Sequence, residues 1–482
     1  MNKSMNNRID HDLLSVQEAR ILAENAKSAQ KAMSNLSQEK LDTIVMHIAK
    51  SMERHVKDLA NLSCNETEYG NAEDKARKNQ FVCRFLAESL RKMPCVGIIA
   101  EDAAAKTKDI GVPIGVIAAL PPATSPVSTT IYKALIAIKS GNAIVFSPHP
   151  RAKNAICKTV KLIIDAGVEA GLPPGAVSCL SYLSKNGTEQ LMCHPLVDAI
   201  LITGVPKMLE KAQSTGKLVI YGGTGGGPVF VERTANIAKA AKDIISSRTF
   251  DYGIVSAAEQ AIVADAPIAE ALRQELKKCG AYFMTDEESK LLIKLFRPEI
   301  CSETVGKSAE HLAKRAGFTV PPGTTTLISE QKYATPDNPY AREKLCPVLA
   351  FYVEDNWQSA CEKCIELLIS EGRSHTLSLH SADESIIREF ALQKPVSRIL
   401  VNTPATFGGM GATTNLFPAM TLGSGLRTDN ISPMNLIRIR KVGYGVRELD
   451  ERGLASERAG PDIAAIRQEL LAELAEQDKN RR

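Results

Sequence analysis

From about residue 110 onward, short apolar runs alternate with amphipathic segments, and Gly or Pro closes nearly every unit. "IGVPIGVIAAL" has buried-strand character, "STTIYKALIAIKSG" reads as a helix ending at Gly141, and "NAIVFSP" is the next strand. "AKNAICKTVKLIIDAGVEAGLPPG" supplies a helix and "AVSCLSYL" a strand, and the alternation continues through "DAILITG", "PKMLEKAQSTG" and "KLVIYGG". Strands apolar on both faces, each followed by a helix, bury themselves in a parallel sheet covered on both sides. A second series runs from "PIAEALRQELKKCG" through "PVLAFYVE", "SACEKCIELLISEG" and "HTLSLHS" to "RILVNTP". The expected fold class is α/β, with two doubly wound lobes. Ahead of them, residues 13–94 carry apolar positions at three- and four-residue spacing, which predicts helices over "SVQEARILAENAKSAQKAMSNL" and "EKLDTIVMHIAKSMERHVKDLANLSC".

A chain of 482 residues can bury two or three cores. A formal charge of +4 on such a length gives no reason to expect nucleic acid, while it suits an anionic cofactor held at one local site. The polar start "MNKSMNNRIDHDLL" is unlike a signal peptide, and no run reaches membrane-spanning length, so a cytoplasmic location without a membrane partner is expected. Eleven cysteines, an odd number without a framework, read as reduced thiols. Cys361-x-x-Cys364 lacks the second pair that zinc requires, so no metal is expected.

Three stretches carry candidate chemistry or contacts. In "TFDYGIVSAAEQAIV" a Gly-centred turn delivers Ser256 into a segment of small residues. "YGGTGGGP" ends a strand, and its glycines free the backbone either to approach a ligand or to make a tight crossing between lobes. After "RKVGYGV" and the polar "RELDERGLASERAG", the segment "PDIAAIRQELLAELAEQDKNRR" places Ile463, Ile466, Leu470 and Leu474 on one helical face. Such a helix packs on its own core, joins an oligomer interface, or docks on a partner.

Taken in order, "PIGVIAALPPATSPVSTTIYKALIAIKSGNAIVFSPHPRAK", "HPLVDAILITG", "TGKLVIYGGTGGGPVFVE", "RTFDYGIVSAAEQ", "REKLCPVLA" and "RILVNTPATFGGMG" are specific. From about residue 13 to 446 the chain resembles the CoA-acylating aldehyde dehydrogenases of the aldehyde dehydrogenase superfamily. It is similar above all to the aldehyde half of bifunctional aldehyde–alcohol dehydrogenases and to enzymes of bacterial microcompartments. The resemblance implies a cofactor-binding lobe over 1–228, a catalytic lobe over 229–403, and a return segment over 404–446. A β-arm drawn from residues near 98–115 and 425–446 would build a homodimer or homotetramer. Residues 447–482 would be a linker and an amphipathic helix serving as an encapsulation peptide for a microcompartment shell protein.

The implied reaction is NAD(P)-dependent oxidation of a small aldehyde, such as acetaldehyde or propionaldehyde, to acyl-CoA through a cysteine thiolate. Ser256 stands at the nucleophile's position. Thr124 matches a residue that helps hold the substrate oxyanion, together with the Ser256 N–H. Glu343 matches the carboxylate on the nicotinamide ribose, and Thr203 and Gly204 match the loop beside the dinucleotide. In hydrolytic members a glutamate opens the glycine motif; here Gly222, followed by Gly223, takes that place, which favours CoA over water as acceptor. Ser147 replaces the lysine that hydrolytic members present to the adenosine ribose, which leaves NAD against NADP open.

Serine for cysteine changes the chemistry. A free cysteine is a few per cent thiolate near neutrality, whereas a serine hydroxyl needs an adjacent base, and locally only Asp251 and Glu259 are polar candidates. Acyl transfer from an oxygen ester to a thiol also runs uphill. Two readings therefore stand: an acylating enzyme impaired at Ser256, and an inactive relative with a structural or regulatory role in a microcompartment. A serine hydrolase built on Ser256 is a third, without a GxSxG elbow to support it.

Overall fold

The structure, a computed structural model, describes residues 10–225, 227–296, 303–370, 375–424, 430–447, 468 and 471. The chain divides into two compact units, residues 1–97 with 111–438 and residues 98–110 with 439–482.

The larger unit opens with helices His11–Met33, Gln38–Glu53, Val56–Thr67 and Ala72–Phe81. The Asp10 side chain caps the first by accepting from the N–H groups of Asp12 and Leu13. The stretch expected as one helix over 39–64 is two, broken at Arg54 and His55. Neither Gly nor Pro marks that break, and the buried apolar row passes from Met52 to Leu59 in helical phase, so periodicity could not reveal it.

Strands β1 (Gly97–Asp102) and β2 (Thr107–Pro113) come next, followed by β3 (Val116–Leu120), β4 (Ala143–Phe146), β5 (Val177–Cys179), β6 (Ala199–Thr203) and β7 (Leu218–Gly222). The last five form one parallel sheet in the order β5-β4-β3-β6-β7. Every residue of β3 and β4 is buried, as is the whole helix Pro126–Lys139 between them, which explains their unbroken apolar runs. The chain winds outward from β3 to β5, then crosses back to β6, so the topological switch point lies between β3 and β6. Buried Lys133 ties this point together by donating to the carbonyls of Leu120 (2.8 Å) and Leu201 (2.9 Å). Burial pushes its amine well below the ordinary lysine range.

A second parallel sheet has seven strands: β8 (Pro228–Val231), β9 (Ala261–Asp265), β10 (Ala281–Phe283), β11 (Thr326–Glu330), β12 (Val348–Glu354), β13 (Thr376–His380) and β14 (Arg398–Val401). Their order is β10-β11-β12-β9-β8-β13-β14. The fold is thus a mixed α/β architecture with two parallel, helix-covered sheets.

In the smaller unit, β15 (Ile437–Gly443) joins β1 and β2 in a three-stranded sheet of order β1-β2-β15. Lys441 pairs with Asp109 (2.7 Å) and Lys108 with Glu101 (3.0 Å). Residues 463, 466, 470 and 474, which were to form the apolar face of a terminal helix, lie outside the described residues. Among the described residues, no helix is long and apolar enough to cross a membrane.

Candidate active site

A cavity of about 540 Å³ opens at the switch point of the five-stranded sheet. Pro122–Ser125 line it after β3, Thr203–Lys207 at and after β6, and Gly222–Thr224 from the end of β7. The second sheet contributes the segment before β9, with Ile254, Val255 and Ser256, and the segment before β12, with Glu343 and Leu345. Carboxyl ends of parallel strands at a switch point are where such folds take ligands. Thr124, Thr203, Gly204, Gly222, Gly223, Ser256 and Glu343 therefore share one cavity. Ser147 is not among its lining residues. It is 3% exposed after β4, and its Oγ lies 2.7 Å from Thr188 Oγ1.

A rigid turn sets the direction of Ser256. Asp251, Tyr252 and Gly253 all have positive φ (50°, 53° and 71°), a run of left-handed residues that costs about 1–2 kcal/mol at each non-glycine position. Asp251 holds the turn. Its buried carboxylate meets Lys78 Nζ at 2.5 Å and Lys75 Nζ at 3.1 Å, and accepts from the Asn71 N–H at 2.8 Å. Both lysines come from the helix Ala72–Phe81 and reach on toward the loop after β3. Lys75 donates to the Thr124 carbonyl (2.9 Å) and Lys78 to Ser125 Oγ (2.6 Å). One carboxylate thus links the turn before Ser256 to the loop carrying Thr124. Burial lowers the Lys78 amine to about 8 despite its partner.

Downstream, Gln260 accepts from the Lys344 N–H at 3.1 Å and its own N–H donates to the Gly227 carbonyl at 3.0 Å. These bonds fasten the Ser256 segment to the Glu343 loop and to the glycine loop. The Gly225 N–H donates to Glu343 Oε1 at 2.8 Å. A Cβ at Gly225 would stand 1.8 Å from the Ser256 carbonyl oxygen, so only glycine permits this approach. Gly222 is crowded too: a Cβ there would meet Thr421 Cγ2 at 2.9 Å and the Leu422 carbonyl at 3.5 Å. Glycine is thus the residue that fits at 222. Gly222→Glu is therefore expected to lower the unfolding free energy measured by urea titration and to disturb the Thr203–Thr421 hydroxyl contact of 2.7 Å, and unchanged stability would contradict this.

Among the described residues, neither of the two local carboxylates considered as bases is in hydrogen-bond contact with the Ser256 hydroxyl. Asp251 is held in its ion pairs. Glu259 is buried, accepts from the Ala405 N–H at 2.9 Å, and burial raises its pKa to about 7. The group beside the serine is instead His375, immediately before β13, with Nε2 at 3.2 Å from Ser256 Oγ. Sequence separation of 119 residues hid this partner. The only local signal was a histidine opening the alternating run "HTLSLH".

His375 is fully buried, and its Nδ1 lies 2.6 Å from Thr376 Oγ1. Burial first, and then the Arg398 guanidinium, lower its pKa from 6.5 to about 3. Arg398 itself donates to the His375 carbonyl at 3.1 Å. In a serine hydrolase a carboxylate behind the imidazole stabilises the imidazolium. Here a hydroxyl and a cation occupy those surroundings, so the ring stays neutral and accepts a proton poorly. Because folding favours the neutral ring, its contribution to stability is full above about pH 6.5 and drains as pH falls toward 3. His375→Gln is expected to reduce the acid-side slope of unfolding free energy against pH, read from urea titrations between pH 4 and 7; an unchanged slope would refute the assignment.

A profile of the aldehyde dehydrogenase family matches residues 10–284. A probable aldehyde dehydrogenase from Listeria monocytogenes EGD-e is 47% identical, with a TM-score of 0.89 over 91% of this chain and 99% of that one. A propionaldehyde dehydrogenase from Rhodopseudomonas palustris, solved with bound CoA and an acylated cysteine, is 28% identical, with a TM-score of 0.81 over 88% of this chain and 97% of that one. The aldehyde-alcohol dehydrogenase of Streptococcus pneumoniae is 37% identical over 408 residues, covering 80% of this chain and 46% of that protein. The chain spans about half the length of the bifunctional relatives it matches. Two parallel sheets meeting at a glycine-lined cleft, together with these relatives, show that the chain belongs to the aldehyde dehydrogenase family, on its acylating branch.

Proposed function

We propose that the cleft takes a nicotinamide dinucleotide, a small aldehyde and CoA, and that serine at position 256 leaves little acylating turnover. The observation that carries this is the Ser256–His375 contact of 3.2 Å, in which the base touching the hydroxyl is an imidazole depressed to about 3. Moving a serine proton onto that ring is strongly uphill. A thiol at the same position ionises without such help.

The residues present fit a dinucleotide. Glycines 222 and 223 open one wall of the cavity, Thr203 and Gly204 another, and Glu343 is held from behind by the Gly225 N–H. These residues would hold the dinucleotide, which supplies the hydride acceptor when bound. Thr124 and the Ser256 N–H would donate to the oxygen of the aldehyde as negative charge develops there. Lys75, bonded to the Thr124 carbonyl, keeps that loop in place. With no carboxylate at 222, water lacks the base that hydrolytic members place there, and a thiol is the better acceptor. Acyl transfer from a serine ester to that thiol would still run uphill, a second barrier independent of His375.

Mixing the unmodified chain with NAD, CoA and acetaldehyde, and separately with NADP, tests this reading. In a separate titration, a change in the nicotinamide fluorescence of added NADH should report dinucleotide binding, while in the assay mixture acyl-CoA accumulates at no more than a trace rate. Brisk acyl-CoA formation with a covalent adduct on the Ser256 hydroxyl would overturn it.

A further inference from the structure

One pair of reactive side chains plays no part in the cleft. Cys157 lies near the start of the helix Lys153–Glu169, and Cys179 is the last residue of β5, the edge strand of its sheet. Their sulfurs are 3.5 Å apart, and both side chains are half-buried rather than sealed. Neither residue lines the cavity. Cys83, Cys95, Cys346, Cys361 and Cys364, by contrast, are buried.

The pair is chemically unequal. A hydrogen bond from Cys179 holds the Cys157 thiol below its ordinary value, and the ammonium of Lys153, one turn earlier on the same helix, acts in the same direction against burial. The same hydrogen bond and burial push Cys179 up. Helix N-termini and neighbouring cations favour a thiolate, and a thiolate with a protonated thiol in contact is the arrangement of an attacking and a resolving sulfur.

We propose that Cys157 and Cys179 form an oxidisable dithiol that takes a hydroperoxide and closes to an intramolecular disulfide, pinning the helix Lys153–Glu169 to the edge strand β5. In the first step the Cys157 thiolate attacks the terminal peroxide oxygen. An S–O bond forms, the O–O bond breaks, and the alcohol or water leaves with a proton from solvent. Cys179 sulfur then attacks Cys157 sulfur: the S–S bond forms, the S–O bond breaks, and hydroxide departs as water with the Cys179 proton. The two thiols lose two electrons in all, and one hydroperoxide gains them.

The test uses the full chain, reduced with a phosphine, desalted and exposed to a small excess of hydrogen peroxide. Samples are quenched by alkylation and digested without reductant for mass spectrometry. Exposed Cys193 serves as the internal reference. The expected result is a cross-linked pair of peptides containing Cys157 and Cys179, appearing at least about tenfold faster than Cys193 loses its thiol, and reversed by phosphine. In Cys179→Ser, the sulfenic acid on Cys157 should be trapped by a cyclic dione; in Cys157→Ser, Cys179 should stay reduced. Consumption of Cys193 at an equal or greater rate, or over-oxidation of Cys157 without the cross-link in the unmodified chain, would overturn the proposal. The unmodified chain alone decides if either variant fails to fold, and dinucleotide binding plays no part in the readout.

Discussion

Ser256→Cys is expected to raise the rate of acyl-CoA formation from acetaldehyde, NAD and CoA by at least about a hundredfold, since loss of a catalytic nucleophile costs several orders of magnitude in comparable enzymes. The reason lies in the surroundings of position 256. Position 256 is firmly held: the left-handed turn before it is anchored by Asp251, and the glycine loop is pressed against the Ser256 carbonyl. His375 at 3.2 Å is too weak a base for a hydroxyl, but a thiol needs much less of it. The variant should also form a thioester adduct on residue 256, visible by intact mass when CoA is withheld. If the cysteine variant gains neither NADH formation nor that adduct, something other than the missing sulfur has silenced the cleft.

Asp251→Ala is expected to lower the unfolding free energy by about 3–5 kcal/mol, the usual cost of removing one partner from a buried ion pair. The substitution leaves Lys75 and Lys78 without their carboxylate at 3% and 1% exposure. It also removes the acceptor for the Asn71 N–H. Urea unfolding followed by circular dichroism measures the loss. Adding Lys78→Met should recover part of it, because the second change removes a stranded charge. A loss below about 1 kcal/mol would mean that the pair is solvated in a way its burial contradicts.

The legible parts of this chain were those written in local patterns. β3 and β4 could be read because both faces of each are buried, so their residues are uniformly apolar. Ser256 and the glycine loop were located by the motifs around them, and the cavity brings both together with Thr124, Thr203 and Glu343. What could not be read depends on pairs distant in sequence. Asp251 gave no hint of Lys75, 176 residues away, and Ser256 gave none of His375. The helix break at Arg54 and His55 was invisible because the apolar row stays in phase through it. Ser147 is matched to a cofactor position by resemblance alone; its hydroxyl meets Thr188, a partner 41 residues away that the local pattern does not announce.

The methyl group of Thr421 beside Gly222 has a consequence for how this cleft could change over generations. A larger side chain at 222 needs room that only a smaller residue at 421 gives, so the two positions are coupled and are expected to change together.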